Sequence, residues 1–242
     1  MDNSNETNRA DIFSFICHTF ICLGNMKYAN NILKKIELEF GQNSHSEQIA
    51  HLYKMKGNLE FNIGEKSKAL VFFEKSFNLM LESNKKYINE IIYSLSLILI
   101  DKKKPDTIAK YLNQSIPNDD FYNIILYGIE ILSSNKVDDK KINSFIEKIK
   151  NIDNQHLSSL AYRIVAKIFF KIKDYDKAQD TIKQSQDLII KSSKNISDKS
   201  QRENFLNNIL IHKDIMEFSD KISDHFLDIT FKKVQQTEIE IQ

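Results

Sequence analysis

The sequence is poor in the residues that make tight turns, because its 242 residues include only five glycines and two prolines. A β-sandwich or β-barrel needs many turns, and a dinucleotide or phosphate-loop fold needs glycine-rich loops. Both classes are therefore excluded. Tryptophan is absent, and the longest apolar stretches, 12–23 and 91–100, are too short to cross a bilayer. The composition predicts no membrane partner.

The chain also lacks an excess of positive or negative charge. The chain has 34 Lys and Arg against 33 Asp and Glu, for a net charge of +1. A protein that coats nucleic acid carries a basic surplus, so no nucleic-acid partner is expected. The hydrophobic fraction of 41% beside 28% charged residues is typical of a folded globular chain.

Cysteine is scarce, and the two that occur do not suit a disulfide. Cys17 and Cys22 are five positions apart on one predicted helix, so their side chains diverge. The surrounding stretch 12–23 imitates a signal-peptide core, but the residues before it are acidic and Ser14 and His18 interrupt it. The expected location is cytoplasmic.

What the sequence does contain is a repeated pattern of two helices. The clearest copy begins near Ile49, and its apolar residues follow helical spacing on both sides of a turn at Gly64. A second clear copy begins at Ala161, and three weaker copies can be aligned with them. Their anchor residues are 34 to 40 positions apart: Ala29, Ala69, Ile108, Ile142 and Ala178.

These units resemble the tetratricopeptide repeat (TPR), in which small and large residues recur on two antiparallel helices. Gly57, Gly64, Ala69, Phe73 and Ser76 match the family's small, turn and aromatic positions, whereas Glu60 and Leu81 depart from its usual aromatic and proline. The resemblance implies an all-α fold, a right-handed superhelix of about five stacked helical hairpins. The predicted repeats are 10–43, 48–84, 87–118, 120–153 and 157–192.

The pattern changes after the fifth repeat. A polar loop is predicted over 192–200, followed by capping helices over 198–234. Within them, Arg202, Phe205 and Lys213 belong to a segment that resembles the end of TPR arms in large bacterial signalling proteins. The predicted flexible or frayed tails are 1–9 and 235–242.

Signatures of catalysis are absent from the sequence. It has no phosphate-binding loop, no GxSxG and no HExxH, and its six histidines lack metal-ligand spacing. Cys17 and His18 are adjacent, so a helix would point them in different directions. Two acid pairs, 119–120 and 138–139, precede predicted helices and suit N-terminal capping. We therefore expect no enzyme, no cofactor and no metal.

The expected site is the concave groove, which the first helix of each repeat lines in the TPR family. Lys54 and Asn58 resemble the start of the family's carboxylate clamp, whose remaining positions hold Ser94, Tyr122 and Leu126 instead of Asn, Lys and Arg. The predicted partner-binding residues combine charged, amide and aromatic side chains: Lys54, Asn58, Phe61, Asn62, Tyr93, Tyr122, Arg163, Lys167, Phe170 and Lys171.

Two functions fit these expectations. The first is a non-enzymatic adaptor that binds a peptide or helix of another protein in the groove, in bacterial signalling or regulation. The alternative is a peptide-responsive sensor or output module, as a fragment of a larger TPR regulator, that forms homo-oligomers through its C-terminal helices. A solvated helix face would explain the groove charges without any partner.

Overall fold

The computed structural model describes residues 12, 15–39, 46–83, 85, 87–117 and 121–240. Every regular element in these residues is an α-helix, which confirms the predicted all-α class. The predicted tail 1–9 and the acid pair 119–120 lie outside the described residues. The helices are α1 (15–22), α2 (Met26–Glu39), α3 (Ser46–Asn62), α4 (Lys66–Leu81), α5 (Ile88–Asp101), α6 (Pro105–Leu112), α7 (Phe121–Ser133), α8 (Asp139–Lys150), α9 (Gln155–Lys171), α10 (Tyr175–Ser193), α11 (Lys199–Asn207) and α12 (Leu210–Glu240).

Helices that follow each other along the chain pack as hairpins. The most extensive contacts join α3 to α4 and α9 to α10, and α5 with α6 and α7 with α8 also pack together. Each hairpin packs on the next through α2 on α3, α4 on α5, α5 on α7 and α7 on α9. The result is a repeat-like stack of helix pairs, in which each pair buries the face that its neighbour leaves open.

Four of the hairpins turn in the same way. In each turn one residue has a positive φ, and its N–H donates to the carbonyl three residues earlier. The next N–H donates to the carbonyl five residues earlier, which is the Schellman motif of helix ends. In these four turns, the residues with positive φ are Gly24, Gly64, Lys103 and Lys173. Two of these turns therefore have lysine where glycine would be the least strained choice.

Close approach of the paired helices depends on two other glycines. A methyl group added to Gly57 would lie 2.5 Å from the ring of Phe73, and one added to Gly128 would lie 2.2 Å from the ring of Phe145. Each ring is fully buried against the glycine of the facing helix. The small-and-large pairing therefore occurs in two different hairpins, α3–α4 and α7–α8.

A buried serine cross-links the helices of the two most extensive hairpins. The Ser76 hydroxyl donates to the Ala50 carbonyl at 2.6 Å, and the Ser185 hydroxyl donates to the Ser159 carbonyl at 2.7 Å. The two bonds join residues with the same separation along the chain. These hairpins thus have the same internal register, which explains why their sequences align best.

The helix starts follow local capping rules. Pro105 stands in the first turn of α6, where its missing N–H leaves no hydrogen bond unmade. The Asp138 carboxylate accepts a hydrogen bond from the backbone N–H of Lys140, so the predicted cap of α8 is confirmed. Asp174 and Asp198 cap α10 and α11 in the same way.

The apolar core continues through the stack from Ala50 to Ile222. A smaller cluster joins the first hairpin to α3, and in it Cys17 is fully buried. Burial raises the pKa of the Cys17 thiol to about 12. No helix within the described residues is both long enough and apolar enough to span a membrane.

The C-terminal segment turns back along the stack. The loop after α10 is followed by α11, and α12 then contacts α10, α9 and α3. This last helix continues to Glu240, beyond the predicted end at residue 234. The turn before it reaches the first hairpin, because the Asn208 amide donates to the Gly24 carbonyl at 3.2 Å. The segment therefore touches both ends of the stack.

Candidate functional site

The face of α9 that the sequence assigns to the groove is covered by α12 of the same chain. We call the contact between α9 and α12 the α9–α12 interface. On α9 it consists of His156, Arg163, Lys167 and Phe170, and on α12 of His212, Asp214 and Phe218. Residues three and four positions apart share one side of a helix, so Arg163, Lys167 and Phe170 form a stripe on α9. Asp214 and Phe218 form the facing stripe on α12.

A three-membered ion cluster forms the centre of this interface. One oxygen of Asp214, Oδ2, lies 2.5 Å from Arg163 Nε and 3.0 Å from Lys167 Nζ. Arg163 is 8% exposed and Asp214 31% exposed, so water screens the cluster only in part. Removing one member of such a partly buried cluster leaves a charge without its partner and costs more than breaking an exposed pair on a helix surface.

The cluster shifts the pKa values of its members. Burial raises the pKa of Asp214, but the charges of Arg163 and Lys167 outweigh it and hold the value at about 2. Burial and the nearby Arg163 lower the pKa of Lys167 to about 8, although Asp214 acts in the opposite direction. At neutral pH the two cations therefore share a single negative charge.

An aromatic contact lies beside the ions. The ring of Phe170 meets the ring of Phe218 edge to face, with centroids 5.4 Å apart, and it also touches Tyr175 and His225. The ammonium of Lys167 lies 5.5 Å from the centroid of Phe218, within cation–π range. Lys167 therefore contacts both the acid and the aromatic residue of α12.

Two imidazoles join the start of α9 to the start of α12. His156 Nε2 lies 2.8 Å from His212 Nε2, and His212 Nδ1 lies 2.6 Å from the Phe205 carbonyl. A carbonyl only accepts hydrogen bonds, so Nδ1 of His212 is the donor and its Nε2 accepts from His156. Burial lowers the pKa of both rings, that of His212 to about 3 with His156 adding to the effect.

A buried hydroxyl lies near the ion cluster. Tyr93 of α5 is 6% exposed, and its hydroxyl has no hydrogen-bond partner among the described residues. Burial raises its pKa to about 12, while the charge of Arg163 lowers it and that of Asp214 raises it. Its ring contacts that of Tyr122 at a centroid distance of 6.0 Å. The Tyr93 hydroxyl is thus a buried polar atom that lies close enough to Arg163 and Asp214 to feel both charges.

The other predicted residues lie outside the ion cluster. Asn62, the last residue of α3, lies against the start of α12, where its side-chain oxygen accepts from the Leu210 N–H at 3.1 Å. Its amide donates to the carbonyl of Asn58, and Phe61 is half-buried against the core. Lys171 donates to the carbonyls of Leu132 and Ser134 at the end of α7. These contacts fix Asn62 and Lys171 within the chain.

Lys54 lies apart from the α9–α12 interface. It is 3% exposed, its ammonium is 2.6 Å from a carboxylate oxygen of Glu90, and it lies 4.4 Å from the centroid of Tyr87. The sequence suggested that Lys54 and Asn58 form part of one partner-binding site. In the structure, the Lys54 ammonium forms an ion pair with Glu90 of α5 in the same chain. Of the predicted charged residues, only Arg163 and Lys167 meet one another on a common anion.

Sequence reasoning missed the α12 side of the interface, because it treated this helix as a cap. The available signal was the order of its residues: an acid, Asp214, is followed one turn later by an aromatic, Phe218. Arg163 and Lys167 show the matching spacing on α9. His156 and His212 gave no signal, since they are separated by 56 positions.

No protein-family model matches the chain, and neither a curated protein nor a solved structure matches it. Within the described part of the chain, no three His, Cys, Asp or Glu side chains are grouped so that they could hold a metal ion. The geometry of the α9–α12 interface is therefore the guide to the function of this protein.

Proposed function

We propose that the protein is a non-enzymatic adaptor that binds a helical segment of another protein on the α9 face of its groove. One observation carries the proposal: this face already holds a helix. Arg163 and Lys167 bind the acid of α12, and Phe170 binds its aromatic residue. Helix-in-groove recognition uses such anchors at positions one turn apart.

The proposal includes a TPR-like superhelix as the scaffold. Support comes from the repeated Schellman turns, the glycine–phenylalanine contacts in two hairpins and the equivalent serine hydrogen bonds. Each of these features recurs at the same place within a helix pair, as a structural repeat requires. A regulatory role in a bacterial cytoplasm follows from the resemblance of the closing segment and belongs to the same proposal.

Site-specific photocrosslinking in the source cells tests the proposal. A photoreactive residue replaces Tyr122, which is half-buried beside Tyr93, or Val71, which is 49% exposed on α4. We expect a discrete crosslinked protein from position 122 and none of that size from position 71. The crosslink should disappear in an Arg163→Glu/Lys167→Glu background.

The matched control for that background is Lys183→Glu/Lys194→Glu, which makes the same charge change at two exposed positions. The control should keep the crosslink because neither lysine belongs to the α9–α12 interface. If positions 122 and 71 trap the same proteins, or if both double variants behave alike, the groove is not the binding face.

A further inference from the structure

The stripe on α12 matches the stripe on α9 in both chemistry and spacing. Asp214 lies against two cations, and Phe218, one turn further on, lies against Phe170 and under the ammonium of Lys167. Lys167 takes part in both contacts, the ion pair with Asp214 and the cation–π contact with Phe218. An acid and an aromatic residue four positions apart are therefore what this face binds in the structure.

The face has more positive charge than α12 neutralises. Arg163 brings a guanidinium, and Lys167, with a pKa of about 8, is mostly charged at neutral pH. Asp214 is the one carboxylate in ion-pair contact with them among the described residues, and the buried Tyr93 hydroxyl near Arg163 has no hydrogen-bond partner there. The charge of Asp101 also acts on Lys167, but that carboxylate is paired with Lys66. A segment with a longer acid or a second acid would satisfy groups that α12 leaves unused.

The internal helix is held by a short connection. Only α11 and its flanking turns separate α10 from α12, so α12 is present at the face at a high effective concentration. Asp214 is nevertheless 31% exposed, and Lys167 17% exposed, so the edge of the contact is open to solvent. An incoming segment can therefore begin to compete at this edge before α12 has left.

We infer that the partner segment is an amphipathic helix with Asp or Glu followed four residues later by Phe or Tyr, and that α12 is an internal copy which this segment displaces. The inference rests on the proposed function and specifies its partner and its regulation. In the absence of a partner, α12 occupies the site. The apparent affinity for the partner is then the intrinsic affinity multiplied by the fraction of molecules in which the face is free.

Peptide binding to the full-length protein tests the inference. The probe is a fluorescent synthetic peptide of residues 209–225, titrated against wild type and against the full-length variant Asp214→Ala/Phe218→Ala, which opens the face. We expect the variant to bind the peptide about tenfold more tightly or better, because its own helix no longer competes. Equal affinity for the two proteins overturns the displacement by α12.

Two altered peptides test the recognition pattern. A peptide with Asp214→Lys places a cation against Arg163 and Lys167 and should lose binding by about tenfold or more. The control peptide carries the same change at Asp220, which is exposed on α12, and should bind like the parent peptide. Loss of binding for both peptides, or for neither, overturns the acid–aromatic pattern.

Amide hydrogen exchange of the wild-type protein tests the same displacement without the opened variant, and so does not depend on whether that variant folds. An excess of the parent peptide should speed amide exchange over 210–225, because the displaced helix loses its packing. The Asp214→Lys peptide should not have this effect. Unchanged exchange at saturating parent peptide contradicts the inference.

A displayed library of helical peptides separates this inference from the proposed function. Selection on the opened variant should enrich an acid four positions before an aromatic residue. Enrichment of helices without that pair overturns the inference but leaves helix binding intact. If the folded variant, checked by circular dichroism, enriches no helical peptide and binds none, the proposed function itself fails.

Discussion

Among the individual residues, the pair of His156 and His212 joins α9 to α12 without any net charge. Each ring is neutral in the folded state, since burial lowers both pKa values. The hydrogen bond between the rings requires His212 Nε2 to be unprotonated, and a proton there would place two donors 2.8 Å apart. The contact is thus stable only while the His212 imidazole stays neutral.

We predict that the protein loses stability as the pH falls below about 6.5. The pKa of His212 is about 3 in the folded protein and has its ordinary value in the unfolded chain, so only the unfolded chain takes up this proton between those values. The stabilisation is complete above the unfolded pKa and is lost as the pH falls towards the folded one. The free energy of unfolding should fall by about 1.4 kcal/mol per pH unit from this group.

Urea unfolding at pH 7.5 and 5.5 measures this effect. Carboxylates also titrate, so the informative quantity is the difference between wild type and His212→Asn in the pH dependence of stability. The variant should be less stable at pH 7.5 and should lose less stability on acidification. The same slope for both proteins would show that His212 is not buried neutral against α9.

At the scale of the helices and their turns, one turn geometry serves four hairpins with different residues at its strained position. Gly24 and Gly64 have positive φ without steric penalty, whereas Lys103 and Lys173 have φ values of 53° and 66°. A left-handed conformation costs a non-glycine residue about 1–2 kcal/mol. The α3–α4 and α9–α10 hairpins share their register, although one turns at Gly64 and the other at Lys173. The packing of the two helices therefore imposes the positive φ, whichever residue stands at the turn.

Replacing these lysines with glycine should therefore stabilise the protein. We expect Lys103→Gly and Lys173→Gly each to raise the free energy of unfolding by about 0.5–1 kcal/mol, because relief of strain exceeds the added chain entropy of glycine. The measurement is the urea midpoint at constant slope.

The matched control for that change is Lys102→Gly. Lys102 is the preceding residue of the same turn, is also exposed, and has a φ of −82°. Glycine there relieves no strain and should lower stability by about 0.5–1 kcal/mol. A loss of stability in all three variants would contradict the assigned turn geometry.

At the scale of the whole molecule, the first hairpin and the C-terminal segment meet. The Asn208 amide donates to the Gly24 carbonyl, and a methyl group added to Gly24 would lie 2.1 Å from the backbone oxygen of Asn204. Asn62 of α3 accepts from the first N–H of α12. The start of α12 is thus held by the first two hairpins while its stripe lies on the fifth.

A comparison of two glycine variants tests this closure. Gly24→Ala and Gly64→Ala both force alanine into a positive φ, but the space around Gly64 is open within 4 Å. We expect Gly64→Ala to cost about 1–2 kcal/mol and Gly24→Ala to cost clearly more, about 3 kcal/mol, since α11 must also move. Equal losses in denaturant unfolding would mean that the first turn does not contact α11.

Much of the fold could be predicted because it depends on local rules. Helical spacing of apolar residues indicated the helix pairs, Gly64 marked a turn, and Asp138 marked a cap. The TPR resemblance of the hairpins and the groove function stay predictions. Lys103 and Lys173 gave no sign of a turn, because lysine adopts a positive φ only when the packing of the two helices imposes it.

Neighbours within a few positions decide which residues form helices and which side of each helix is apolar, so both could be read from the sequence alone. The contact of α12 with α9 could not, because Asp214 and Arg163 are 51 positions apart and any exposed cation could have paired with that acid. The choice depends on how the helix pairs pack on one another and on where the turn before α12 is held by Gly24 and Asn62. Helical periodicity contains no information about either of these.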